Sequence, residues 1–207
     1  MAEEGKARTG IETFLVIMIP VATVLAGFAG FFAADEQRGS NRAREAGFIA
    51  LSDANTNALV ANQIILRDEQ LLIRAEIAER DGDLELAMEL RSRAFSFEGG
   101  YIDLSGNATP AYGGDLERAK DAFIEDMYAP HRANKTASEQ AFAQARIESQ
   151  QGLNYLLATI LFAATAVLGT FANGMKSPGR RRVLFVVTVG FLVIPVSIVI
   201  LTVFGIV

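Results

Sequence analysis

Three long runs without a charged residue limit what this chain can fold into. Residues 13–34 form a run of 22 uncharged positions bounded by Glu12 and Asp35. Nothing between Glu148 and Lys176 is charged, and the apolar heart of that run spans 153–175. The last run, 183–207, holds 25 uncharged residues. A helix needs about 20 apolar residues to cross the hydrocarbon of a bilayer, so each run is long enough. Buried helices of soluble proteins seldom reach this length without a charge. The sequence therefore predicts an all-α membrane protein with transmembrane helices over 13–34, 153–175 and 183–207.

The first run also has features of a cleaved leader. Lys6 and Arg8 precede it, and Gly27 and Ala29 offer small residues at a cleavage spacing. Its hydrophobic stretch is longer than a leader core, which favours a retained anchor.

Orientation follows from the loop at 176–182, which carries Lys176, Arg180, Arg181 and Arg182 and no acid. Short basic loops stay on the cytoplasmic side. The expectation is a plasma-membrane or inner-membrane protein with its tail, 1–12, inside. Residues 35–150 and the C-terminus then lie outside. Lys6 and Arg8 agree with this orientation, whereas Arg38, Arg42 and Arg44 oppose it.

Residues 35–150 number 116, with 21 acids and 13 bases, a net charge of −8 against −5 for the whole chain, so most of the acidity lies here. An acidic outer face is ordinarily a solvated one. Leu51, Ala54, Ala58, Ala61, Ile65, Leu72 and Ala75 recur at helical steps, broken by Asp68, and predict a helix over roughly 42–80. That helix either continues the first membrane helix or is bent from it at Gly39, Ser40 and Asn41, which weaken the junction. Asp81-Gly82-Asp83 reads as a turn, with Asp83 and Glu85 suited to the positive start of a second helix. A glycine-rich loop at 99–114 follows. A third helix is expected from about 115 to 129, an interruption at Pro130, and a fourth helix from about 132 to 150. The picture is an elongated antiparallel helical bundle between the first and second membrane helices.

Chemistry leaves few candidates. With no cysteine the chain has no disulfide, thiol nucleophile or cysteine-bound cluster. His131 is the single histidine, too few for a multi-histidine metal site or for the Glu-x-x-His pairs of a carboxylate di-metal bundle. No nucleophile elbow or phosphate-cradling glycine pattern occurs. An EF-hand loop starting at Asp81 would need glycine at Leu86 and glutamate at Ser92. No catalytic, cofactor or metal residue is expected, and the acidic balance gives no footprint for nucleic acid. The membrane runs contain no Asp, Glu, Lys, Arg or His, which argues against a pump or coupled transporter formed by this chain alone.

The membrane runs do contain small residues at four-residue spacing. Ala22, Ala26, Gly30 and Ala34 on the first, and Thr165, Gly169 and Asn173 on the second, form faces suited to close helix packing. Such faces serve packing within one chain or against another subunit. The leading expectation is a non-catalytic interaction protein: an accessory, assembly or scaffold subunit of a larger membrane complex, or a homo-oligomer. Its partners would be membrane lipid and other membrane subunits or copies of itself. The alternative is an outer sensor or ligand-binding bundle, a layout that resembles the input half of bacterial chemoreceptors. A ligand would then meet Phe95, Phe97, Tyr101, Tyr112, Phe123 and Tyr128 in an apolar cleft under the glycine-rich loop.

Overall fold

The structure is a computed structural model and describes residues 10–94, 101 and 107–206. Among these, about 91% are helical and none forms a strand. The helices are α1 (Gly10–Arg80), α2 (Leu84–Arg93), α3 (Leu116–Gly174) and α4 (Pro178–Val203), with one 3-10 turn at Pro110–Tyr112. By length and composition α1, α3 and α4 can each cross a membrane. In their most apolar windows only 22%, 33% and 11% of residues are buried, so these side chains face outward as a lipid solvent requires. That marks the chain as a membrane protein.

The chain divides into two units: Met1–Arg44 with Phe142–Val207, and Glu45–Ala141.

In the first unit α1 and α3 run antiparallel, with Ile19 beside Gly169, Gly30 beside Thr159 and Gly39 beside Glu148. Leu15, Met18 and Ala172 are buried at one level and Ala29, Ala158 and Phe162 at another, with α4 residues Leu192, Val196 and Val199 packed on them. The hydroxyls of Thr165, Thr188 and Thr202 are buried, and each donates to the carbonyl four residues back at 2.7–2.8 Å. An apolar medium demands this internal satisfaction.

In the second unit α1 and α3 again run antiparallel, with His131 against the Ala54 carbonyl and Tyr128 against Asn62. Its core is Ala94, Tyr101, Ala108, Ala119 and Phe123, flanked by Ile64, Ile65, Leu71 and Leu72 of α1. The turn after α1 closes as the sequence requires. Gly82 adopts φ 87° and Asp83 N–H reaches back to the Ala78 carbonyl at 2.9 Å, a left-handed helix cap that glycine adopts without strain. Asp83 then caps α2, accepting from Leu86 N–H at 3.1 Å.

One alternative is decided and two expectations change. The glycine-serine pair at 39–40 does not break α1. Ser40 is buried and its hydroxyl donates to the Ala145 carbonyl of α3 at 2.9 Å, so packing replaces what local propensity lacks. Nor does Pro130 divide α3, which is one helix from Leu116 to Gly174. Proline removes only one backbone donor, and the helix continues on either side of it. Finally, Asp68 does not break the inner stripe of α1. It lies on that stripe, 1% exposed, with Arg67 Nη2 at 2.6 Å from its Oδ1.

Candidate functional site

The small-residue positions of the membrane helices are distributed unevenly. Ala22 and Thr165 are fully buried, and Gly169 is pressed against α1, where an added Cβ would lie 3.0 Å from Ile19 Cγ1 and 3.2 Å from Met18 Cε. Gly30 leaves more space, with Thr159 at 3.7 Å from such a Cβ. Ala26 is half-buried, while Ala34 and Asn173 are exposed. The reason is geometric. A four-residue step advances 40° round a helix of 3.6 residues per turn, so a strict four-residue row winds off the contact within three steps. The buried row of α1 instead follows steps of three, four and seven residues through Leu15, Met18, Ala22 and Ala29.

Of the four basic loop residues, Arg181 is drawn into the fold. It pairs with Glu12 near the start of α1, and its Nε donates to the Met175 carbonyl just past α3 at 3.1 Å. One guanidinium thus ties the ends of three helices. Lys176, Arg180 and Arg182 make no ion pair among the described residues. Lys6 and Arg8 lie outside the described residues.

Just past the first uncharged run, α1 and α3 approach closely and bring acids together. A Cβ on Gly152 would stand 3.4 Å from Glu36 Cβ and 3.5 Å from the Ala33 carbonyl. Burial, then the nearby charges of Glu148 and Asp35, raise the Glu36 carboxyl above its ordinary value of 4.5. Glu148 Oε1 accepts from Gln144 Nε2 at 2.9 Å, and its Oε2 is buried. Sequence reasoning missed this pair because it joins residues more than a hundred positions apart.

Of the aromatic candidates, Tyr101, Tyr112 and Phe123 come together. Tyr101 stacks on Tyr112 with ring centroids 5.6 Å apart and meets Phe123 edge-on at 5.4 Å. Its hydroxyl donates to Asp126, and this bond, followed by burial, pushes its pKa up to about 12. Tyr128 lies elsewhere on α3, half-buried, donating to Asn62. Phe95 and Phe97 lie outside the described residues. The three rings that meet fill space between elements as core side chains do.

The feature that sequence reasoning overlooked is on the other side of α1. Within Glu45–Ala141, its buried positions Ala54, Ala61, Asp68 and Ala75 repeat every seven residues. Leu59, Leu66, Ile73 and Ile77 occupy the opposite face and are 52–64% exposed. The helix is thus apolar on two sides and covered on one. The signal was present as a second seven-residue period, masked by the stronger alanine row.

Comparison of the chain with known protein families, curated proteins and solved structures found no match.

Proposed function

We propose that this chain is a non-catalytic integral membrane interaction protein, an accessory, assembly or scaffold subunit of a membrane complex or a homo-oligomer. The observation that carries the reading is the two-sided apolar character of α1. Large aliphatic side chains left in water cost about 1.5–3 kcal/mol each relative to burial, and contiguous rows of them mark association surfaces. Leu84, Leu86 and Met88 of α2 are exposed as well. The unit that holds these residues is read as extracytoplasmic from the basic loop at 176–182, with the N-terminus cytoplasmic. The sensor reading has less support, because Tyr101, Tyr112 and Phe123 already spend their ring faces on one another.

The test is the native mass of the full chain after gentle extraction from its own membrane, with companion chains identified. A stoichiometric assembly, with itself or with another chain, is expected. A lone monomer at native concentration overturns the reading.

A further inference from the structure

The exposed face of α1 carries more than hydrophobicity, because its flanking charges have a definite order. Taking Leu59, Leu66 and Ile73 as the d positions of a heptad repeat places Gln63, Gln70 and Ile77 at a. The positions beside the seam are then Asn62, Glu69 and Glu76 at g, and Val60, Arg67 and Arg74 at e. Acids thus stand on one flank and arginines on the other. Ala54, Ala61, Asp68 and Ala75 fall at f, directly opposite, where the chain's own packing buries them.

We propose that this face docks on the same face of a second copy of the chain, forming a parallel two-stranded coiled coil. The inference rests on the interaction reading above and names its partner. The charge order selects both partner and direction. In a parallel pair, g of one helix meets the e position five residues later on its mate, which sets Glu69 against Arg74 of the other copy, twice by symmetry. In an antiparallel pair, g faces g and e faces e, which would oppose glutamate to glutamate and arginine to arginine. Glu69 and Arg74 are exposed, and neither makes an ion pair among the described residues. Copies inserted in one membrane with one orientation also present α1 in parallel. Their confinement to a plane raises the effective concentration that a short seam needs. Gln63 and Gln70 each face their own symmetry mate, and polar a positions of this kind hold register while lowering stability.

The chain has no cysteine, so single replacements report proximity cleanly. In native membranes under mild oxidation, Leu66→Cys should give a disulfide-linked dimer, while Glu139→Cys on α3 should not. Equal cross-linking of the two, or none from Leu66→Cys, overturns the proposal. A second measurement leaves the seam intact. Glu69→Arg alone should weaken dimerisation by about 2- to 30-fold, as expected for two surface ion pairs lost, and so should Arg74→Glu alone. The double variant should restore it. Failure of that rescue excludes the parallel register. A native assembly with a different chain, without a Leu66→Cys dimer, overturns self-docking and leaves the interaction reading standing. A monomer without cross-link overturns both.

Discussion

Gly39 of α1 stands where a side chain would run into Glu148 of α3: a Cβ there would lie 2.8 Å from Glu148 Oε2 and 3.1 Å from its Cδ. The glycine is the space the carboxylate occupies. Gly39→Leu should therefore destabilise the protein by about 1–3 kcal/mol, the usual cost of overpacking. In a Glu148→Ala background the same replacement should cost less than half as much. Thermal unfolding of the four variants in detergent or nanodiscs measures the coupling, and strict additivity would show that the two residues do not compete for space.

The raised Glu36 pKa gives a pH dependence whose sign can be worked out. The folded state holds this proton more tightly than the unfolded chain does. Its contribution to stability is therefore fully present below about pH 4.5 and is lost as pH rises through the higher folded value. Glu36→Gln should flatten that loss and raise the melting temperature at neutral pH relative to the parent. Melting curves between pH 4 and 8 provide the check.

Tyr101 should ionise late. Four tyrosines are present, and the Asp126 carboxylate that accepts the Tyr101 proton holds its pKa at about 12. Here too the pKa is raised on folding, so the associated stability is present below pH 10 and lost as pH climbs towards about 12. Ultraviolet titration of phenolate absorbance should show a late component that disappears in Tyr101→Phe.

Two glycines in the membrane helices should respond oppositely to the same replacement. Gly30→Ala meets only Thr159 at ordinary contact distance, whereas Gly169→Ala brings a methyl group to 3.0 Å from Ile19. The first should be neutral or stabilising by up to about 1 kcal/mol through helix propensity. The second should lower the melting temperature, because Ile19 and Met18 must both give way.

Orientation is open to a labelling test. With residues 35–150 outside, Glu117→Cys should react with a membrane-impermeant thiol reagent in intact cells, and Ser177→Cys only after permeabilisation. Both positions are exposed on the protein surface, so a failure to react reports sidedness rather than burial. The opposite pattern reverses the topology.

Much of the helical layout was legible from local pattern. Asp81-Gly82-Asp83 turns because glycine accepts the left-handed cap, and the start of α3 is set by Asp115, whose Oδ1 accepts from Arg118 N–H at 3.2 Å. The site was far less legible. The Glu36–Glu148 pair and the Arg181–Glu12 bridge each join residues more than a hundred positions apart, and no periodicity carries such a pairing.

What the sequence determined by itself is the set of three helices able to span a membrane. Freedom from charge over some 20 residues is a local property that the hydrocarbon solvent reads without reference to the rest of the fold. Only the tertiary structure decided that α1 passes unbroken through Gly39 and Ser40, because the Ser40 contact with the Ala145 carbonyl joins residues 105 positions apart, and only it showed α3 continuing through Pro130. It also decided which apolar side of α1 is covered. The alanine row lets α3 approach closely, and the larger Leu59, Leu66, Ile73 and Ile77 are left facing outward.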